Sequence, residues 1–481
     1  MRGSFGNVFG LYKFNPMKKA FDEAETKNLR EMIITPSFHI GGIFGSLLVL
    51  YILDRIGRVR SLQLSAFIYF VGGLIQTFCS SIAVLCIGRF ISGVASAIAL
   101  CVCSLFISEI APKEIRGTLG IVNSLGLQAG MFLASLCDTL CLKLIDPKTK
   151  PNTQWRLAVG AQLIPATLFL LFVWFLPETP RYLLMKNEDD KALKNLAHVR
   201  QKEKTDDSVA AEFNAMSSKL KVELADGICS WRELFTTKSI LYRVIIVSIL
   251  QLLHMLVGVN AIGFYSTQIY RDYLNIPPEK YGAWLATLSN VISFVCSFPA
   301  MRYIENFGRR PLLKWGAFLL GLCMVAIYAL CHLCDSTHIK TYGWICVIIV
   351  YIFGIVYSWS WSSAVFVFQS ELFPLRMRTK ANTVGGIFQF IGSIIVGGVT
   401  PTLLKVFRYY TFLIFAGFCL VAFIFTHFCV RETRGIPLED MDTLYGDSSV
   451  KDKDNFKKQI DECFDNVKDN TEDVKNSIKE A

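Results

Sequence analysis

Three patterns of acidic and basic residues each occur twice in this chain, in the same order. Asp54-Arg55-Ile56-Gly57-Arg58 is matched by Glu305-Asn306-Phe307-Gly308-Arg309-Arg310. Glu109-x-x-Pro112-x-x-x-Arg116 is matched by Glu371-x-x-Pro374-x-x-x-Arg378, and Glu178-Thr179 by Glu432-Thr433. The displacements are 251, 262 and 254 residues, so the chain reads as two homologous halves. The chemistry open to such residues is ion pairing between helix ends, with a glycine letting the helices approach. One such motif reads equally well as an anchor of a helix end at the membrane boundary. Six at matched spacing on one face read as a gate that closes when the halves tilt together. No P-loop, nucleophile elbow or H-E-x-x-H site occurs, so nothing supports an enzyme.

The elements that carry these motifs must be apolar. Of 481 residues, 53% are hydrophobic and 18% charged, with a mean hydropathy of +0.42. A bilayer core about 30 Å thick takes roughly 20 apolar residues per helix, and this composition supplies eleven or twelve such helices. Apolar windows lie near 33–53, 61–81, 84–107, 118–142, 157–177, 241–265, 283–304, 312–334, 343–369, 381–404 and 409–430. The fold class is an all-α polytopic membrane protein with eleven clear spans plus a partial first. Residues 1–12 are apolar and Gly-rich but too short to cross, so the first helix is either truncated or never spans.

Placing 54–60 in the cytosol and alternating from there sets 32 Lys and Arg inside against 14 outside, though short loops alone differ only as 12 to 9. The C-terminus and the central segment 178–240 then lie inside. That segment holds 11 basic and 11 acidic side chains, which fits solvated amphipathic helices. The net charge of +10 has no soluble basic face to serve, which excludes a nucleic-acid partner. Fifteen cysteines lie mostly in apolar runs and read as small hydrophobes. Cys331-x-x-Cys334 is a lone pair at a helix end, too little for a structural zinc site, and no metal or cofactor is expected.

Parallel repeats about an axis along the membrane normal, with a solute site between them, are a transporter design. The domains are an N-terminal bundle (1–177), a helical cytosolic linker (178–240), a C-terminal bundle (241–430) and a cytosolic tail (431–481). At the residue level the chain resembles the sugar-porter branch of the major facilitator superfamily. The resemblance runs from about residue 36 to 445. It rests on GGIFGSLLVLYILDRIGR (41–58), GRFISGVASAIALCVCSLFISEIAPKEIRG (88–117), PETPRYLL (177–184), RYIENFGRRPLL (302–313), ELFPLRMR (371–378) and RETRGIPLEDM (431–441). It implies two six-helix bundles that rock about a central solute.

The resemblance also implies where a sugar would sit, and the pocket departs from the family there. The seventh-span QQxxGxN pattern keeps Gly258 and Asn260, with Gln251 three residues ahead of His254, but His254 and Met255 stand in place of the paired Gln. Ser124 takes the fifth-span Gln position, Phe366 the tenth-span Trp position and Gln389 the eleventh-span Asn position. Ser124, Gln251, His254, Asn260, Ser293 and Gln389 supply donors and acceptors for a hydroxylated solute, and Phe366 packs unless Trp359 or Trp361 completes a platform. Arg89 marks the outer end of the family's fourth span. Asp54, Arg58, Glu109, Arg116, Glu178, Glu305, Arg309, Arg310, Glu371, Arg378 and Glu432 form the cytosolic gate.

Proton symporters of the family carry an Asp where this chain has Tyr12, so the expectation is uncoupled facilitated diffusion of a hexose or related polyol. His254 keeps proton coupling open as an alternative, since imidazole titrates near neutrality. The altered pocket also admits transport of a different small solute, or a sensor that binds solute without moving it. The expected partners are a monosaccharide and the bilayer, with the monomer as the working unit in the plasma membrane.

Overall fold

The computed structural model describes residues 12–15, 20–23, 27–112, 116–145, 151–225, 231–236, 238–272, 281–337, 339–373, 375–434 and 445. Long apolar segments become helices because a chain in hydrocarbon must satisfy its own backbone groups. The N-terminal half holds α1 (Lys27–Ile56), α2 (Arg58–Phe78), α3 (Ile82–Ile110), α4 (Arg116–Leu144), α5 (Pro151–Gly160) and α6 (Leu163–Phe172). Four shorter polar helices follow: α7 (Pro180–Met185), α8 (Asp189–Arg200), α9 (Asp207–Ala225) and α10 (Trp231–Thr236). The C-terminal half holds α11 (Lys238–Leu256), α12 (Val259–Asp272), α13 (Ala283–Phe307), α14 (Arg309–Thr337), α15 (Lys340–Trp359), α16 (Trp361–Glu371), α17 (Leu375–Val406) and α18 (Thr411–Cys429).

Among the described residues ten helical stretches are long and apolar enough to cross a membrane, and Ala283–Pro299 is a shorter apolar helix. These coincide with the eleven apolar windows. The partial first span falls outside the described residues except at Tyr12. There the chain is a strand instead: β1 (Tyr12–Asn15) pairs antiparallel with β2 (Ala20–Glu23), Lys13 opposite Asp22. Apolar and polar residues alternate along Tyr12-Lys13-Phe14-Asn15, a period of two that suits a strand and not a helix.

Two glycines set the turns at the motif-bearing end. Gly57, between α1 and α2, has φ +99, and Gly308, between α13 and α14, has φ +84. Side chains are strained in that region, so the same backbone turn recurs 251 residues apart only because glycine stands at both places. Elsewhere the breaks are local. Ser81 caps α3 by accepting from the Val84 amide, and Thr179 caps α7 ahead of Pro180.

The halves meet along two seams that repeat one another. α1 lies on α17, with the Met32 sulfur accepting from Thr402 Oγ1 at 3.7 Å and the Phe390 ring against Gly42. α4 lies on α13, the counterpart pair, with Phe132 and Phe294 stacked 6.1 Å apart. The polar helices dock at the end that carries the motifs: Arg200 of α8 donates to the Ile110 carbonyl at 3.0 Å and pairs with Glu212 of α9 at 2.7 Å.

Candidate functional site

The acids and bases of the repeated motifs close into the same triad twice. In the N-terminal half Arg58 Nη2 lies 2.8 Å from Glu109 Oε1, joining α2 to α3, with both side chains buried. Glu178 then accepts from the Arg58 and Val59 amides at 3.1 Å each, a carboxylate on the open N-terminus of α2. In the C-terminal half Arg309 Nη2 lies 2.6 Å from Glu371 Oε1, joining α14 to α16. Glu432 accepts from the Arg309 and Arg310 amides at 2.9 and 3.0 Å, and Thr433 donates to Glu371 at 2.7 Å. Arg310 also donates to the His427 carbonyl at 2.7 Å.

Each of these contacts joins elements of one half. Tyr182 completes the first triad, its hydroxyl donating to the Arg55 carbonyl at 3.1 Å while its ring lies 5.3 Å from the Arg58 guanidinium. Burial, followed by the neighbouring Glu178, raises the Tyr182 phenol above its ordinary value. The side chains of Asp54, Arg116, Glu305 and Arg378 lie outside those described.

A second polar group sits between the halves, midway along the helices. Gln128 of α4 donates to Ser358 Oγ at 3.1 Å and Ser362 Oγ at 3.2 Å, and Ser124, one turn away, donates to the Ser362 carbonyl at 3.1 Å. On the α11 face, Gln251 Nε2 donates to Gln369 Oε1 of α16, and Gln369 in turn donates to the Asn382 carbonyl at 3.1 Å. His254 lies one turn further on. Its Nε2 is 2.7 Å from the Tyr357 hydroxyl, and its ring stacks on Tyr357 at 5.7 Å with the planes 6° apart.

Asn260 donates to Met255 Sδ at 3.1 Å and to Ser393 Oγ at 3.3 Å, one turn along α17 from Gln389. Gln389 itself is half-buried. Met255, which replaces the second Gln, is packing: a Cβ on Gly392 would stand 2.8 Å from its Cβ. Phe366 meets His254 edge-on at 5.6 Å, so it walls the imidazole. Trp361 is fully buried, donates to the Leu313 carbonyl and stacks on the His254 ring at 6.4 Å, and Trp359 donates to the Cys296 carbonyl. Ser293 of α13 faces Gly354 of α15, where an added Cβ would lie 2.6 Å from its hydroxyl. Arg89, about two turns into α3 at the end opposite Glu109, has a buried Nε without a hydrogen bond.

Two buried atoms of the central group have no partner: Gln251 Oε1 and His254 Nδ1, one turn apart on α11. Each costs about 1–3 kcal/mol if left so, and a solute hydroxyl would relieve both. Sequence reasoning missed Gln128, Tyr357 and Gln369. Gln128 had a signal, since it stands four residues from Ser124 and therefore on the same helical face. Tyr357 and Gln369 had only their polarity inside an apolar run.

The profile of the family described as "Sugar (and other) transporter" matches residues 2–445. The chain is 28% identical over 457 residues to the hexose transporter HXT9 of Saccharomyces cerevisiae, covering 92% of this chain and 79% of that one. It is 30% identical over 424 residues to the putative hexose transporter 12 of the same yeast, covering 86% and 91%. The high-affinity glucose transporter ght2 of Schizosaccharomyces pombe is 26% identical over 455 residues, covering 92% and 83%. Among solved structures, the proton:xylose symporter XylE bound to 6-bromo-6-deoxy-D-glucose superimposes with a TM-score of 0.73 at 22% identity, covering 86% of this chain and 89% of that one. XylE from E. coli in its inward open conformation gives 0.71 at 22% identity, covering 92% and 93%. The fold is that of the major facilitator superfamily, and the chain belongs to the sugar (and other) transporter family.

Proposed function

We propose that this protein carries a hexose or related small polyol across the membrane by alternating access, without coupling to a proton gradient. The observation that carries the reading is the pair of unpartnered buried atoms, Gln251 Oε1 and His254 Nδ1. They stand beside a group of neutral polar side chains where the halves meet, a setting that suits a neutral solute rich in hydroxyls. Asn260 and Gln389 flank them, Ser124 and Ser293 contribute from α4 and α13, and Phe366 walls the imidazole. The relatives are hexose and glucose transporters, which supports the substrate class. The side chains of the central group named above are amides, hydroxyls and one imidazole, which supports the uncoupled mode.

The triads serve as the cytosolic gate by making each half rigid. Arg58, Glu109 and Glu178 tie α2, α3 and the start of α7 together; Arg309, Arg310, Glu371 and Glu432 do the same for α14, α16 and the chain after α18. Asp54, Arg116, Glu305 and Arg378 complete these sets. Halves that are stiff at this end move as bodies, so closing one side opens the other. The motif face and α7–α10 are cytosolic in this reading, Arg89 lies toward the outside, and the protein works as a monomer in the plasma membrane.

Radiolabelled glucose uptake into proteoliposomes containing the purified chain tests the proposal. Saturable uptake that other hexoses inhibit, unchanged when the pH gradient is collapsed, is expected. Uptake that vanishes with the gradient overturns the uncoupled mode. Hexose binding without flux makes the chain a sensor, and neither binding nor flux removes the sugar.

A further inference from the structure

Three thiols that neither the solute site nor the triads use meet at the end of the C-terminal half opposite the motif face. Cys331 and Cys334 are one turn apart near the end of α14, and Cys346 lies two turns into α15. All three are buried, Cys331 and Cys346 completely. Cys331 Sγ lies 4.0 Å from Cys346 Sγ, whereas the Cys334 thiol turns to the Ile339 carbonyl at 3.9 Å. His332, between the two α14 thiols, points elsewhere: its Nδ1 is 3.2 Å from the Tyr409 hydroxyl and its ring stacks on Tyr328. Among the described residues no group of three or more His, Cys, Asp and Glu is arranged to hold a metal ion. The C-x-x-C pattern is therefore divided in space. One of its thiols faces a third cysteine that the sequence places 15 residues on.

We propose that Cys331 and Cys346 are a redox site that oxidises to a disulfide joining the ends of α14 and α15. A disulfide has its sulfurs about 2.05 Å apart, so the two atoms must close by about 2 Å, within reach of small side-chain and helix adjustments. A small neutral peroxide such as hydrogen peroxide is the oxidant, since both thiols are completely buried. One cysteine thiolate attacks a peroxide oxygen, breaking the O–O bond and forming a sulfenic acid and hydroxide. The second cysteine thiolate attacks the sulfenic sulfur, forms the S–S bond and expels the second hydroxide. The two protons lost by the cysteines end on the two hydroxides, so two thiols and one peroxide become one disulfide and two waters. In the orientation proposed above these helix ends face the outside, the side on which disulfides form and persist. The bond closes a short loop between neighbouring helices and holds their ends together. Tyr357 and Ser358 of the central group are carried on that same α15.

The experiment uses the purified full-length chain with hydrogen peroxide, followed by alkylation of remaining thiols and mass spectrometry of an unreduced digest. The expected result is a crosslinked Cys331–Cys346 peptide pair, about 2 Da lighter than the two reduced peptides together and released by dithiothreitol. Cys334→Ser retains the crosslink, and Cys346→Ser loses it and leaves Cys331 alkylated. The thermal unfolding midpoint of the oxidised wild-type chain rises by several degrees, and that of Cys346→Ser does not. Alkylation of both Cys331 and Cys346 after oxidation overturns the proposal, as does a Cys334–Cys346 crosslink or a sulfenic or sulfinic acid on either cysteine without the internal bond. Only the source of the oxidant rests on the proposed orientation. Because the purified chain exposes both faces, failure of the pair and failure of the orientation are separate results.

Discussion

The imidazole of His254 lies flat on the phenol ring of Tyr357, with ring centroids 5.7 Å apart and Nε2 2.7 Å from the hydroxyl. These residues are 103 positions apart, on α11 and α15, and the contact engages Nε2 while Nδ1 has no hydrogen-bond partner. Tyr357→Phe keeps the ring and removes the partner, leaving Nε2 buried and unpaired. An orphaned polar atom costs about 1–3 kcal/mol, so apparent hexose affinity changes about tenfold while the chain still folds. His254→Ala lowers it further, and His254→Gln retains transport. Concentration-dependent uptake in proteoliposomes checks all three; KM values that none of them moves place the solute elsewhere.

Arg58 and Glu109 are both almost wholly buried, so neutralising one removes the counterion that lies 2.8 Å from the other. Removing one member of a buried pair costs about 3–5 kcal/mol. Arg58→Ala and Glu109→Ala each lower the unfolding midpoint by several degrees and abolish most uptake. Arg309→Ala and Glu371→Ala do likewise in the other half. Replacing both members at once, as Arg58→Met with Glu109→Leu, recovers part of the stability. Thermal unfolding of the purified variants is the measurement, and a double variant worse than either single one refutes the pairing.

Gly57→Ala puts a side chain at φ +99 with its Cβ 2.6 Å from Glu178 Oε2; Gly308→Ala does so at φ +84, 2.7 Å from Glu432 Oε2. Both displace the carboxylate that caps the next helix. The two substitutions therefore lower stability and uptake in parallel, each by about 1–3 kcal/mol in stability. A harmless alanine at either position contradicts the repeated turn.

Ser135 Oγ of α4 and Thr287 Oγ1 of α13 are 3.0 Å apart, and Thr139 Oγ1 is 2.8 Å from the same Thr287 oxygen. Alternating access requires this seam to part. Ser135→Cys with Thr287→Cys crosslinks on oxidation and arrests uptake, and dithiothreitol restores it. The wild-type chain under the same oxidant is the control, since its own thiols also react. Full uptake through a crosslinked seam rules out separation there.

Tyr445 anchors the tail to the start of α11. Its hydroxyl accepts from the Arg431 amide at 3.2 Å, its carbonyl accepts from Ser239 Oγ at 3.4 Å, and the Arg243 and Arg431 guanidinium groups lie 5.7 and 5.4 Å from its ring. Burial pushes its phenol up from 10.0 to about 12. A raised pKa means that the folded state favours the neutral phenol. The contribution is thus complete below pH 10 and lost as pH rises from 10 toward 12. In unfolding scans across this range, Tyr445→Phe loses less stability than the wild-type chain. Identical pH profiles sink the anchor.

Helix positions were legible from sequence because crossing hydrocarbon needs a run of apolar residues, and such a run is a local property. The eleven windows coincide with helices in the structure for that reason. Of the partial first span only Tyr12 lies among the described residues, and it opens the first of two four-residue strands. At the pocket, the family positions drew attention to Gln251, His254 and Asn260 but could not name their partners. Gln369, Tyr357 and Ser393, which meet them, sit on helices reached only through the bundle.

The sequence by itself determined the two-fold repeat, since Arg58 and Arg309, Glu109 and Glu371, and Glu178 and Glu432 stand at near-constant displacement. Only the tertiary structure decided how they pair. Each arginine meets the glutamate of its own half, because helix packing brings those helix ends within reach. The same division holds at the centre. Spacing put Gln251 and His254 on one helical face, but packing alone gave Gln251 Nε2 and His254 Nε2 their partners and left Oε1 and Nδ1 without one. A linear sequence carries the types and periods of polar groups; which hydrogen bonds they make depends on helices more than a hundred residues away.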